Sequence, residues 1–151
     1  SIKKIDLQAV PYPAEYFDFI LANHVLEYVK DDLKALDEIF RVLRPGGHAI
    51  LQTPYSNILS HIFEDSGIQS AEARINAYGQ EDHQRLYGRD IGERLEKVGF
   101  LSLMVNHSKI LDNKNSAILG VNADEPFFLF QKPKHNEIYG RSVHQPGHQK
   151  C

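Results

Sequence analysis

The sequence predicts an α/β fold in which a largely parallel sheet carries helices on its faces. Apolar runs typical of buried strands alternate with segments whose apolar residues recur at helical spacing, in the order strand, helix, strand, helix, strand. The chain has 151 residues, of which 42% are hydrophobic and 25% are charged. These values fit one globular domain with a core of its own.

The first half of the chain carries the clearest signals for individual elements. Residues 2–7 form a short strand candidate, and the prolines within 10–15 indicate a loop after it. The nearly continuous apolar run 17–22 is typical of a strand covered on both faces. Asp31 and Asp32 begin a helix, because acidic residues suit the positive end of the helix dipole. The apolar stripe of this helix consists of Leu33, Leu36, Ile39, Phe40 and Leu43.

The turn Pro45-Gly46-Gly47 ends this helix. The remaining expected elements are a strand over 48–53, a short helix over 71–78, a helix over 89–98 and strands over 100–106 and 126–131. Apart from the short helix, residues 55–86 are polar and irregular. The segment 133–151 is rich in Lys, His, Gln, Pro and Gly, and we expect a disordered tail there.

Composition argues against several kinds of partner. The formal net charge is -3, so no polycationic surface is expected to draw the chain to nucleic acid or to a membrane. The single cysteine is the last residue, which excludes an internal disulfide and favours a cytoplasmic location. Of the 8 histidines, His144 and His148 lie near Cys151, but their spacings match no standard zinc pattern. We therefore predict no metal site.

Ligands of such sheets bind at the carboxyl ends of the strands. The residues that follow the three predicted N-terminal strands are therefore the first candidates for a site. They are Asp6 and Leu7, then Asn23 and His24, and finally Thr53, Pro54 and Tyr55.

Three segments occur in a fixed order over more than forty residues: Phe17-Asp18-Phe19-Ile20, then Asn23-His24-Val25-Leu26-Glu27-Tyr28-Val29, and after a helix Arg41-Val42-Leu43-Arg44-Pro45-Gly46-Gly47. This run resembles the middle of the class I S-adenosylmethionine (SAM) methyltransferases, in the group that includes quinone-biosynthesis methylases. Residues 79–100 also resemble a segment of one bacterial subgroup. The resemblance covers roughly residues 2–132, which we treat as the C-terminal part of a methyltransferase domain.

The resemblance implies roles for the residues at the strand ends. Asp6 would accept a hydrogen bond from the adenine amino group of SAM, and Leu7 would pack on the adenine ring. Asn23 and His24 would lie beside the methionine part and the transferred methyl group, with His24 the candidate base because its pKa is near neutrality in water. As alternatives, Asp6 would only cap a turn, and His24 would only be a helix-start residue satisfied by the backbone.

The acceptor side is also implied by the resemblance. Thr53, Pro54 and Tyr55 would open onto the acceptor, and residues 60–88 would form a lid and substrate wall. The lid residues in question are Asp82, His83, Arg85 and Tyr87. The alternative is that these four residues form a structural hydrogen-bond network that holds the lid.

One part of the family pattern has no counterpart in this sequence. The Gly-rich loop after the family's first strand is lacking, as is the acid after its second strand, because Gly46-Gly47 follows a helix. We therefore expect a truncated, Rossmann-like sheet without the first two strands. The strand at 17–22 would then lose a neighbour, and its exposed edge could pair with a second copy to form a homodimer.

Two functional hypotheses follow. The first is a SAM-dependent methyltransferase that acts on a small-molecule acceptor, with SAM as its cofactor. The second is a non-catalytic remnant, a binding or scaffold domain that kept the sheet and lost SAM.

Overall fold

The computed structural model describes residues 2–111, 118–122 and 125–134. Its elements in chain order are β1 (Phe17–Leu21), α1 (Asp32–Val42), β2 (Leu43–Ile50), α2 (Ala71–Tyr78), α3 (Ile91–Val98), β3 (Leu101–Ser102), β4 (Val105–Asn106), β5 (Pro126–Phe127) and β6 (Leu129–Gln131). A 3-10 turn, His107–Lys109, follows β4. The predicted α/β class is confirmed.

The main sheet has four strands in the order β1-β2-β6-β3, and β4 and β5 form a separate pair. Only β1 and β2 are parallel, whereas β6 is antiparallel to both β2 and β3. The prediction of a largely parallel sheet is therefore wrong. Parallel strands need a long crossover connection, usually a helix. The sequence predicts no helix between 106 and 126, before β6.

The helices begin near the predicted positions, but α1 ends at Val42, before the Pro45-Gly46-Gly47 turn that was expected to end it. Asp31 caps α1, with its side chain accepting a hydrogen bond from the Lys34 amide at 3.0 Å. The short helix α2 has the predicted bounds, and α3 begins two residues after the predicted start. The strand after α1 begins at Leu43, so Pro45-Gly46-Gly47 lies within β2 and does not precede it.

A single apolar core lies between the sheet and helices α1 and α3. It is formed by the buried side chains of Ala22, Leu26, Ala35, Leu36, Ile39, Leu43, Ala49, Leu51, Tyr87, Ile91, Leu95, Phe100, Phe128 and Phe130. Leu33, which the helical stripe includes, is 40% exposed, whereas Ala35 is fully buried. The buried face of α1 is thus turned slightly from the predicted one.

Residues 2–6 form no strand, which corrects the prediction of a strand over 2–7. Among the described residues no strand lies beside this segment, and a strand without a partner has no ladder to form. β1 is consequently the edge of the main sheet and exposes Phe19 and Leu21. Pairing of this edge with a second copy stays a prediction.

The C-terminal end of the described chain is packed. Lys132 is 8% exposed, and its ammonium donates to the carbonyls of Phe40 and Leu43 at 2.9 Å each. Pro133 is also buried. The predicted tail lies outside the described residues from 135 onward, and His144, His148 and Cys151 lie there with it. In the part of the chain that is described, no helix is long and apolar enough to cross a membrane.

Candidate functional site

The parallel pairing of β1 and β2 brings two of the predicted segments together. The His24 amide donates to the Gln52 carbonyl at 2.7 Å, just beyond the ends of the strands. The chain after β1 therefore lies beside the chain after β2, at the edge where ligands of α/β sheets bind. Asn23 and His24 meet Gln52, Thr53 and the residues that follow them at this edge.

His24 lies at the surface in an unusual backbone conformation. Its side chain is 62% exposed, and its φ angle of 53° falls in the left-handed region that non-glycine residues seldom adopt. Such conformations cost about 1–2 kcal/mol and cluster at functional sites. Together with Asn23 and Gln52, His24 lines a groove of about 280 Å³ whose far wall includes Asn122 and Glu125.

A second groove, of about 460 Å³, adjoins the first. Pro54 and Tyr55 line it, and it shares Asn122 and Glu125 with the groove at His24. The Tyr55 ring is held edge-on against Phe128 at 5.6 Å between ring centroids. Both grooves thus open along the carboxyl ends of β1 and β2, and Tyr55 lies where an acceptor was expected.

The side chain of Thr53 does not face this groove, contrary to its predicted contact with the acceptor. Thr53 is fully buried, and its hydroxyl donates to Oε2 of Glu27 at 2.8 Å. Glu27 is itself only 1% exposed. Its other oxygen, Oε1, lies 3.6 Å from Nδ1 of His24. The sequence analysis assigned Glu27 no role, although it lies within the motif that includes His24.

Asp6 and Leu7 lie at a different groove. Leu7 lines an apolar groove of about 260 Å³ together with Ile5, Val10, Tyr12, Phe17, Phe19, Ile20, Ile39 and Val42. Asp6 is exposed, and its Oδ1 accepts a hydrogen bond from the Gln8 amide at 2.9 Å. This is the turn-capping contact of the alternative interpretation, and Oδ1 also receives the Gln8 side-chain amide at 3.4 Å. This apolar groove and the His24 groove have no lining residue in common among the described residues.

A carboxylate on α1 fastens the loop that forms this apolar groove. Glu38 accepts from the Val10 amide at 2.8 Å and from Arg41 Nε at 2.7 Å. Arg41 in turn donates to the carbonyls of Val10 and Tyr12 at 3.0 and 2.9 Å. The hydrogen bonds from Arg41 and, to a lesser degree, from Val10 lower the pKa of the Glu38 carboxyl to about 2.

This carboxyl should show an unusually acidic titration. Because its pKa is about 2 when folded and 4.5 ordinarily, its contribution to stability is present above pH 4.5 and is lost as the pH falls through about 2. The carboxyl ¹³C resonance of Glu38 should keep its ionised shift down to about pH 3. Arg41→Gln should return the midpoint toward 4.5. A midpoint near 4.5 in the unaltered protein would contradict the observed contacts.

The end of the predicted lid, residues 60–88, is hydrogen-bonded to the chain around its start. The Ser56 amide donates to the Tyr87 carbonyl at 2.9 Å, and Phe63 and Leu86 exchange backbone hydrogen bonds at 2.9 and 3.0 Å. Asp82 is exposed at the surface of this segment. His83 is buried, with Nδ1 3.2 Å from the Tyr78 carbonyl and its ring edge-on to Tyr28.

Arg85 and Tyr87 belong to a buried network, and neither side chain is accessible to a substrate. Tyr87 is fully buried and donates to Asp32 Oδ2 at 2.7 Å. Arg94 donates to both oxygens of Asp32, at 2.8 and 2.6 Å. Burial alone would raise the pKa of the Asp32 carboxyl, but the Arg94, Arg85 and Tyr87 side chains together lower it. Burial and the Asp32 carboxylate raise the pKa of Tyr87 well above its ordinary value, so its hydroxyl stays protonated.

Arg85 ties the network to the loop before α1. Its guanidinium is fully buried and donates to the carbonyls of Leu26, Val29 and Lys30 and to Glu64 at 2.9 Å. For Arg85 and Tyr87, the contacts therefore favour the alternative of a structural hydrogen-bond network. Their predicted contact with substrate is corrected, because each polar end is directed into the protein.

The described residues, 2–111, 118–122 and 125–134, include no group of three or more His, Cys, Asp or Glu side chains that could hold a metal ion. The candidate site comprises Asn23, His24 and Tyr55 at the grooves, with Glu27 and Thr53 beneath them.

Comparison with known proteins shows similarity to methyltransferases. Residues 1–51 match the family described as "Methyltransferase domain". Over 126 residues, 80% of the chain, it is 28% identical to arsenite methyltransferase of Mus musculus and covers 32% of that protein. The chain spans about a third of the length of such curated relatives.

Two solved structures share the fold. The [4+2]-cyclase SpnF matches with a TM-score of 0.56 and 19% identity, over 87% of this chain and 55% of that one. Phosphoethanolamine N-methyltransferase 2 of Haemonchus contortus, solved with phosphomonomethylethanolamine and S-adenosylhomocysteine, matches with a TM-score of 0.54 and 17% identity, over 85% and 36%. The sheet is Rossmann-like, as predicted, and residues 1–51 are similar to the methyltransferase domain family.

Proposed function

We propose that the protein to which this chain belongs transfers a methyl group from SAM to a small-molecule acceptor. The observation that carries the proposal is the pair of adjoining grooves at the carboxyl ends of β1 and β2, lined by His24 and Tyr55. Similarity to methyltransferases suggests the type of reaction. The position of the grooves suggests the place where it would occur.

The residues present fit one part of SAM. The groove at Leu7 is almost wholly apolar, which suits the faces of an adenine ring, and Asp6 lies next to Leu7 with Oδ2 outside the turn contacts of its Oδ1. A carboxylate oxygen there would accept from the adenine amino group. Asn23 and His24 would lie toward the methyl group. Among the described residues, we assign none to the ribose or to the methionine carboxylate.

When bound, SAM would supply a methyl group attached to a positively charged sulfur. The acceptor would provide the electron pair of the new bond to carbon, and the pair of the broken carbon–sulfur bond would stay on sulfur. The chain then has to orient the acceptor, exclude water and take up the acceptor's proton. We assign orientation to Tyr55 and the walls of its groove. His24, at the neighbouring groove, is the candidate to receive the proton.

A small acceptor is the proposal because of the size of the site and the nature of the relatives. Grooves of about 280 and 460 Å³ are of the size that small ligands occupy. Arsenite and phosphomonomethylethanolamine, which appear in the names of the similar proteins, are both small molecules. We draw no closer identification of the acceptor from the groove residues.

A second candidate is a non-catalytic binding or scaffold domain. It is favoured by the separation of the two halves of the site, since the Leu7 groove and the His24 groove share no lining residue among those described. The similarity to SpnF, a cyclase, also shows that this fold serves reactions other than methyl transfer.

Calorimetric titration with S-adenosylhomocysteine separates the two candidates. Methyl transfer by this chain predicts binding in the micromolar range, weakened by about tenfold or more in Leu7→Asp, which places a charge in the apolar groove. Asp37→Asn, at an exposed position on α1, is the matched control and should bind as the unaltered chain does. No binding by this chain would reject methyl transfer by it alone. Binding that appears only in a longer polypeptide would assign the activity to that longer protein.

A further inference from the structure

Glu27 is a buried carboxylate in the segment between β1 and α1. It is 1% exposed, and only Oε2 is satisfied, by the Thr53 hydroxyl at 2.8 Å. Among the described residues, Oε1 has no hydrogen-bond partner although it is shielded from solvent. The carboxylate lies between the groove residue His24 and the buried Thr53, at the end of the sheet where the ligand would bind.

An unpartnered oxygen on a buried carboxylate requires a physical explanation. Burying a charged group without compensation costs several kcal/mol, and nearly all buried polar atoms in native proteins have a partner. The nearest titratable nitrogen is Nδ1 of His24, at 3.6 Å from Oε1. This separation is beyond hydrogen-bond length, but catalytic hydrogen bonds are commonly long before a ligand is bound.

The His24 ring is free to move closer to Oε1 of Glu27. Its side chain is largely exposed, so the ring can turn without displacing core residues. Its left-handed backbone, with φ at 53°, carries strain that a histidine in an ordinary loop would not need. The His24 ring thus lies near Glu27 on one side and lines the groove on the other.

We infer that Glu27 is a positioning residue for His24, an inference that rests on the proposed function. Oε1 of Glu27 accepts a hydrogen bond from Nδ1–H of His24, which fixes the tautomer and leaves Nε2 without a proton. Nε2 then accepts the proton that the small-molecule acceptor loses. The carboxylate below stabilises the resulting imidazolium, while Thr53 holds the carboxylate in place through Oε2.

The opposing interpretation is that Glu27 serves only to anchor Thr53 and so to join the two chain segments. That role would use Oε2 alone and would be indifferent to the state of the His24 ring. The two interpretations therefore differ in the tautomer of His24, which can be observed without any cofactor or acceptor.

Long-range ¹H–¹⁵N NMR of the histidine rings, at about pH 8.5 where the imidazole is neutral, is the experiment. We expect a protonated Nδ1 and a bare Nε2 for His24 in the unaltered protein. A predominance of the Nε2–H form, which free histidine favours, would overturn the inference, and this spectrum needs no variant.

Two variants extend the test to Glu27 itself. Glu27→Met removes the acceptor with little change in volume, and we expect loss of the Nδ1–H form. Thr53→Val removes the partner of Oε2 and should leave the Nδ1–H form in place. Persistence of that form in Glu27→Met would overturn the inference.

Should Glu27→Met fail to fold, Glu27→Ser, which is short and cannot reach the ring, replaces it. Failure of S-adenosylhomocysteine to bind would remove the proposed function yet leave the tautomer result intact, so the two failures are distinguishable.

Discussion

Replacing Asp32 by asparagine is expected to lower the free energy of unfolding by roughly 3–5 kcal/mol. Asp32 is 2% exposed and accepts two hydrogen bonds from Arg94 and one from Tyr87, with Arg85 Nε a further 3.8 Å away. Asparagine keeps the size but removes the charge, so the buried Arg85 guanidinium and the partly buried Arg94 lose the buried one of their two shared counter-ions and keep only the half-exposed Glu64. Urea unfolding followed by far-UV circular dichroism measures the loss.

The matched control is Asp37→Asn, an exposed position of the same helix, which should change stability by no more than about 0.5 kcal/mol. Equal effects at the two positions would show that the network at Asp32 carries no particular stability. The pH dependence has a definite sign. Because the pKa of Asp32 is lowered in the folded protein, its contribution is present above the ordinary carboxyl pKa and is lost as the pH falls through the lower, folded-state value.

This network explains why the roles of Arg85 and Tyr87 could not be assigned from the sequence. Arg85 and Tyr87 lie in a polar stretch and resemble a substrate wall when only the sequence is considered. In the structure Asp32 stands 55 residues from Tyr87 and 62 from Arg94 along the chain, and it turns their polar ends inward. Partners so distant in sequence leave no local pattern, so burial of an arginine could not be foreseen.

Elements set by neighbouring residues were predictable, whereas elements that depend on a partner strand were not. Helix α2 has its predicted bounds because Ser70 caps it and Gly79 ends it in the left-handed conformation. The expected strand over 2–7 had the right composition, but among the described residues there is no strand beside it. Likewise, the antiparallel entry of β6 between β2 and β3 follows from long-range pairing alone.

The candidate site shows the same division. Asn23, His24 and Tyr55 were found because they follow strands, and the sheet does bring them to adjoining grooves. Glu27 and Thr53 meet only because β1 pairs with β2, across 26 residues of sequence. The sequence did place Glu27 next to His24, but an acidic residue in a loop is ordinarily exposed. A contact between strand ends was needed to show that it is buried.

The second large effect is expected at Gly88, where the end of the predicted lid passes close to the backbone of Leu59 and His61. A Cβ at this position would lie 2.7 Å from the carbonyl carbon and oxygen of His61 and 2.9 Å from the carbonyl oxygen of Leu59. These are backbone atoms, and Leu59 is further held by the hydrogen bond that its carbonyl accepts from Arg89 at 2.9 Å. The neighbours cannot yield, so Gly88→Ala should destabilise the protein by roughly 1–3 kcal/mol.

Gly92 supplies a control in which the same substitution should act in the opposite direction. It lies in the first turn of α3, and a Cβ there would meet Met104 Sδ at 3.5 Å and Ser102 Oγ at 3.6 Å, both ordinary contacts. Gly92→Ala should therefore stabilise the protein by about 0.4–1 kcal/mol, because alanine restricts the unfolded chain and favours the helix. Urea unfolding measures the free energy of unfolding of both variants. A decrease in Gly88→Ala and an increase in Gly92→Ala would show that glycine is needed at 88 because the backbones approach closely there. Loss of stability at both positions, or at neither, would contradict this explanation.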